Sequence, residues 1–173
     1  MLRNLGAAYY QLARYDEAES TFLRAIEIQP FGPTYTNLGT LRYFQGRYTD
    51  AVSAFEKAVE LGANRYQNWA NLGDGYRWAP GRRDDAAAAY RRASDLIAGL
   101  IAQKPQDADL LTRRAVYLVK MGNRDAALKD IEGIGARAMP SPAILYRLTI
   151  VYELAGDRAR ALVAVEKALT AGY

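Results

Sequence analysis

An alanine returns five times along this 173-residue chain at a nearly constant stride: Ala18, Ala51, Ala86, Ala127 and Ala161. The intervals are 33, 35, 41 and 34 residues. A stride of that size marks a repeat architecture, in which one unit cannot bury its apolar face alone and neighbours stack to do so. The residues around each Ala recur as well. Asn4-Leu5-Gly6-x-x-Tyr9 precedes Ala18, Phe22, Ala25 and Pro30. Asn37-Leu38-Gly39 precedes Ala51, Phe55 and Ala58, and Trp69-x-x-Leu72-Gly73-x-x-Tyr76 precedes Ala86, Tyr90 and Ala93. Apolar spacing of three and four residues makes each unit two helices, A and B, joined by a short turn. The expected helices cover about 2–12 and 16–28, 34–45 and 49–61, 66–78 and 84–103, 107–121 and 125–136, and 142–154 and 158–171. The fold class is all-α: five repeats, about 1–32, 33–65, 66–106, 107–140 and 141–173, in a single domain over 1–173.

Close packing explains the small residues. Gly6, Gly39 and Gly73 let helix B approach helix A with no Cβ between the backbones, and the recurrent Ala does the same from the B side. Ala115 and Thr149 replace that Gly in repeats four and five, so these pairs are expected to pack wider apart. Leu5, Leu38, Leu72 and Leu148, with Tyr9, Tyr76 and Tyr152, are the expected core. Three departures stand out. The third inter-helix turn, Trp78-Ala79-Pro80-Gly81-Arg82-Arg83, is one residue longer than its sisters, with a strong Pro-Gly turn signal. Its B helix runs about two turns further, to Lys104-Pro105. In repeat four, Gly133 and Gly135 each cost a helix interior about 1 kcal/mol, so that B helix is expected to end early or bend before Met139-Pro140-Ser141-Pro142 restarts the chain. The sequence starts inside a helix A at Met1-Leu2 and stops after a helix B at Gly172-Tyr173, without a solvating cap. Leu162, Val165 and Leu169 include positions that a following helix would cover. Either excision from a longer protein or self-association accounts for that.

Composition narrows the chemistry. There is no Cys and no His, which removes thiolate chemistry, disulfides, and the commonest general base and metal ligand. No phosphate-binding Gly loop or metal-ligand cluster is present, so an enzyme is the least supported class, and no cofactor or metal is expected. Asp84-Asp85 reads as a helix start, where carboxylates suit the dipole. Net charge is +4, with Arg far outnumbering Lys; this reads as a solvated helical surface, or as a preference for acidic partners. No apolar run approaches the roughly 20 residues of a membrane span, and no leader pattern opens the chain. A cytoplasmic setting is the default expectation.

The pattern W-x2-L-G-x2-Y…A-x3-F…P, most complete in Trp69, Leu72, Gly73, Tyr76, Ala86 and Tyr90, resembles the tetratricopeptide-repeat family. The resemblance covers essentially the whole chain, tightly in repeats one to three and loosely in four and five. The stretch from Trp69 to Ala93 also resembles repeats appended to bacterial signalling proteins, including Ser/Thr kinases and regulators with an N-terminal effector domain. The family resemblance implies a right-handed superhelical solenoid whose A helices line a concave groove for a partner segment. Projected onto this sequence, one row of the groove is Asn4, Asn37, Asn71, Arg113 and Arg147. It is similar to the amide ladder of O-linked N-acetylglucosamine transferase repeats, which bonds a peptide backbone. An amide has the donors and the acceptor for that, though Asn before Leu-Gly is also consensus and would then bond the neighbouring helix. Arg113 and Arg147 bring guanidinium, suited to carboxylate or phosphate. Arg3 and Arg77 project to the same face, with Lys120 near its edge, partly offset by Asp74, Asp109 and Glu153. The other reading of these charges is interhelix ion pairs.

Tyr10, Tyr43, Phe44, Trp78 and Tyr146 are the expected groove aromatics. Arg42 stands where repeat two should carry its core Tyr, so Tyr43 either joins Phe44 in the groove or replaces that Tyr in the core. The basic and amide set with which co-chaperone repeats clamp a C-terminal carboxylate is not matched: Ala7, Gln67 and Asn71 occupy its positions. The leading expectation is a non-catalytic protein-interaction scaffold that binds a peptide or partner segment, an acidic one included. The alternative is a self-association module of a larger signalling protein, forming a homo-oligomer through uncapped repeats. Nucleic-acid binding through Arg82, Arg83, Arg91 and Arg92 is disfavoured, because Asp84, Asp85 and Asp95 interleave with the cluster.

Overall fold

The amphipathic stretches fold as helix–turn–helix pairs. The computed structural model describes residues 1–134 and 140–172. Its helices, in order, are α1 (Leu2–Gln11), α2 (Tyr15–Ile28), α3 (Gly32–Phe44), α4 (Tyr48–Glu60), α5 (Tyr66–Trp78), α6 (Arg83–Gln103), α7 (Ala108–Lys120), α8 (Arg124–Asp130), α9 (Pro142–Ala155) and α10 (Arg158–Thr170). Odd-numbered helices are the A helices of successive repeats and even-numbered ones the B helices. Among the described residues there is no strand. The chain divides into two compact units, Met1–Ala89 and Tyr90–Tyr173.

In the first unit α2 packs on α1 and α3, and α4 on α3 and α5, while α1 touches α3 and α3 touches α5. The A helices therefore lie side by side. Ala18, Phe22, Leu38, Leu41 and Ala54 form one buried cluster. Ala51, Val52, Phe55, Val59, Leu72, Ala79 and Ala89 form a second, flanked by Tyr43, Tyr48, Trp69 and Tyr76. The close approach expected at the Leu-Gly positions is present at Gly6 and Gly39. A Cβ on Gly6 would lie 2.5 Å from the Phe22 ring, and one on Gly39 would lie 2.6 Å from the Phe55 ring. One core expectation fails: Leu5 is 44% exposed, whereas Leu38 and Leu72, its counterparts, are 2% and 3% exposed. The B helix of the preceding repeat covers Leu38 and Leu72; no described element covers that side of α1.

In the second unit α7 packs on α8 and α9, and α9 on α10. The core contains Tyr90, Ala93 and Ile97 of α6, Ala115 and Val119 of α7, Leu145, Leu148 and Val151 of α9, and Ala161, Ala164 and Ala168 of α10. Tyr90 and Tyr117 stack with ring centroids 6.4 Å apart. Side-chain caps start three helices: Asp107 accepts from the Asp109 and Leu110 amides, Ser141 from Ile144, and Asp157 from Arg160. α8 stops at Asp130, six residues before the expected bound, and Gly133 follows at φ +75°. Gly135 and Met139, singled out with it in the sequence, lie outside the described residues, as does Tyr173.

Candidate functional site

Asn4, Asn37 and Asn71 occupy the same position of α1, α3 and α5, which the packing sets side by side. Asn4 is exposed and accepts a hydrogen bond from Arg3 Nη2 at 3.1 Å. Asn37 and Asn71 are partly buried, and among the described residues neither side-chain amide has a hydrogen bond. A neighbouring asparagine behaves differently. Asn68 is buried, and its Nδ2 donates to the carbonyls of Ala58 at 2.8 Å and Gly62 at 3.1 Å. The structural role of bonding an adjacent helix thus belongs to Asn68.

Seven residues on, two helical turns or about 10 Å along the same face, stand the aromatic side chains Phe44 and Trp78. They are 70% and 56% exposed. Tyr43 is partly buried against the α4–α5 core and meets Phe44 edge-on at 5.6 Å and Tyr48 at 5.5 Å. Tyr48 stacks on Trp78 at 6.0 Å. These rings brace one another, so the two exposed ones are held in fixed positions. Burial, then the nearby Asp74 charge, raises the Tyr43 hydroxyl above the usual tyrosine range. Arg77, close enough to Tyr43 to influence it, makes no ion pair or hydrogen bond among the described residues. Tyr10 is partly buried and packs 6.0 Å from Tyr15, and Arg3 lies 5.8 Å over the Phe31 ring.

Arg113 and Arg147 belong to the second unit and converge on one carboxylate. Arg113 Nε donates to Asp109 Oδ2 at 2.7 Å. Arg147, on the next A helix, pairs with Asp109 Oδ1 and donates from Nε to Thr112 Oγ1 at 3.0 Å. Burial works against the Asp109 charge, but Arg113 and Arg147 outweigh it and hold the carboxyl below the usual range. Burial pulls the Arg147 guanidinium below its own usual range. Tyr146 is exposed, Lys120 lies 5.3 Å over the Tyr90 ring, and Glu153 pairs with Arg158 at 2.5 Å. In the basic cluster, Arg82 is paired with Asp85 and Glu56, while Arg83, Arg91 and Arg92 are exposed.

Sequence reasoning missed Tyr48, Thr112 and the bridging part played by Asp109. A signal existed for two of them. Tyr48 repeats Tyr15 at a 33-residue interval, and Asp109 precedes Arg113 by four residues, the spacing of a helical ion pair.

A family model described as Tetratricopeptide repeat matches residues 2–31, and a second of the same description matches 32–64. No curated protein matches the chain. Among solved structures, a thermophilic tetratricopeptide-repeat protein of Thermus thermophilus is similar with a TM-score of 0.69 at 23% identity, over 99% of this chain and 90% of that one. MamA is similar with a TM-score of 0.55 at 22% identity, over 96% and 93%. YrrB, described as a tetratricopeptide-repeat protein with an unusual peptide-binding site, has a TM-score of 0.56 at 19% identity, over 99% and 84%. At these identities the structural likeness speaks for the fold. By these matches residues 2–64 are tetratricopeptide repeats, a unit that serves as a scaffold for protein–protein interaction, and the similar solved structures carry the same repeat fold along the chain.

Proposed function

We propose that the chain is a non-catalytic scaffold that holds an extended segment of a partner protein across the A-helix face of its first unit. The carrying observation is the pair of partly buried, unbonded amides of Asn37 and Asn71, one repeat apart. A partly buried polar group without a partner costs free energy that a ligand returns. An extended peptide presents the matching backbone N–H and C=O groups at regular intervals. Phe44 and Trp78 supply large contact area with little rotamer entropy to lose, and Arg77 offers a guanidinium to an acidic side chain. The peptide-binding site in the description of YrrB, a protein of similar fold, supports this reading.

The test is a peptide selected from a random library on the full chain, titrated by calorimetry against wild type and Asn37→Ala/Asn71→Ala. Each lost hydrogen bond is worth about 0.5–1.5 kcal/mol, so the double variant is expected to bind about tenfold more weakly with unchanged helicity. Equal affinity in the two proteins rejects backbone capture by these amides.

A further inference from the structure

The junction between α4 and α5 shows how one repeat seats the next, and both halves of an equivalent junction are bare elsewhere on the molecule. On the B side the junction uses Val52, Phe55 and Val59 of α4, and on the A side Leu72 and Gly75 of α5 with Ala79 just past its end. A Cβ on Gly75 would lie 3.1 Å from Val52 and 3.2 Å from Phe55. A polar clamp completes it. The Tyr76 hydroxyl donates to Glu56 Oε1 at 2.8 Å, and Arg82, lying 4.3 Å over the Tyr76 ring, reaches the same oxygen at 3.3 Å while holding Asp85.

In the repeat register, α10 carries the B half: Leu162 for Val52, Val165 for Phe55, Leu169 for Val59 and Glu166 for Glu56. Leu162 and Leu169 are 55% and 64% exposed. Among the described residues the Glu166 carboxylate has no partner. α1 carries the A half: Leu5 for Leu72, Ala8 for Gly75, Leu12 for Ala79 and Tyr9 for Tyr76. Leu5, Ala8 and Leu12 are exposed, and the Tyr9 hydroxyl has no hydrogen bond among the described residues. Arg14 lies 4.7 Å over the Tyr9 ring and holds Glu17, the arrangement of Arg82 over Tyr76 with Asp85. The sizes also match. Ala8 adds a Cβ where α5 has Gly75, and Val165 is smaller than the phenyl ring at its place in α4.

We propose that these two faces bind each other between copies of this chain, α10 of one against α1 of the next, in a head-to-tail junction of the α4–α5 kind. Val165, Leu162 and Leu169 then cover Leu5, Ala8 and Leu12. Glu166 accepts from the Tyr9 hydroxyl and pairs with Arg14 of the neighbouring copy. The contact is heterologous, since each copy offers a different face to each neighbour. The occupant is a second copy because both halves, apolar set and polar clamp, reproduce in one chain a junction that the same chain makes internally.

Sedimentation velocity of the full chain over a concentration series tests this. The expected result is a weight-average mass that rises with concentration above 19.2 kDa. Leu162→Glu on one face, or Leu5→Glu on the other, is expected to hold the chain at monomer mass with its helicity intact. Glu166→Arg and Arg14→Glu are each expected to weaken association about tenfold or more by placing like charges together, and the double variant, which restores opposite charges, to recover it. A constant monomer mass in wild type overturns the proposal. So does assembly that survives both leucine substitutions, or a double variant no better than either single one.

Discussion

Ala13 sits at φ +56°, in the left-handed region, at the position where the other four repeats place Gly46, Gly81, Gly122 and Gly156, all at positive φ. A side chain there costs roughly 1–2 kcal/mol, partly offset by the greater entropy of a glycine in the unfolded chain. Ala13→Gly is therefore expected to raise stability by about 0.5–1 kcal/mol, read as a higher urea midpoint with an unchanged slope. The converse holds at Gly39, where a Cβ would meet the buried Phe55 ring at 2.6 Å. Gly39→Ala is expected to cost about 1–3 kcal/mol in the same assay. The two positions were unequally legible. Four glycines five residues before the recurrent Ala announce a turn in the sequence, whereas the severity at Gly39 depends on which ring lies opposite. Tyr76 offers a third measurement. Burial, then its hydrogen bond to Glu56, pushes its hydroxyl up to about 12. A raised folded value means the contribution is complete below the unfolded tyrosine range near about 10 and is lost as pH rises through the folded value. Tyr43 and Tyr10 are raised as well, so ultraviolet titration should show a group of late tyrosinates, of which Glu56→Gln moves one earlier.

Among helices, α8 is the outlier, with seven residues against 14 in α2 and 13 in α4 and α10. So short a helix has few interior hydrogen bonds to protect, and local opening follows contact density. Its amides are expected to exchange faster than those of α7 or α9. Its early stop was readable from Gly133, because glycine both weakens a helix and accepts the φ that ends one. The link from α7 to α9 was not readable. Position in the repeat puts Arg113 and Arg147 in one row, but only packing shows that both reach Asp109. Nor could position separate Asn68, bonded to the helix before it, from the unbonded Asn71 in the same helix. Leu5 teaches the same lesson, since its burial depends on what lies outside its own repeat. Asp109 also sets a pH dependence. A folded carboxyl held below its usual range stabilises the link above the unfolded value near about pH 4, and that stability is lost as pH falls through the folded value. Asp109→Asn should flatten the acid limb of the denaturation profile of the second unit.

At the scale of the whole molecule, charge is divided unevenly. Residues 1–89 carry ten cations and ten anions, while residues 90–173 carry thirteen and nine, so the entire +4 lies in the second unit. The face proposed for peptide capture is thus on the neutral unit, and affinity there should depend only weakly on salt, as amide and aromatic contacts are barely screened. No described helix is long and apolar enough to cross a membrane. The clamp of Glu56, Tyr76 and Arg82 has a consequence for how such a chain can change over generations. Its two halves come from different repeats: in the repeat register Arg91 stands for Glu56 in repeat three, and Arg42 for Tyr76 in repeat two. A tandem copy of repeat three would therefore set Arg91 against the copied Tyr76 and Arg82, and the array could lengthen there only with a compensating substitution.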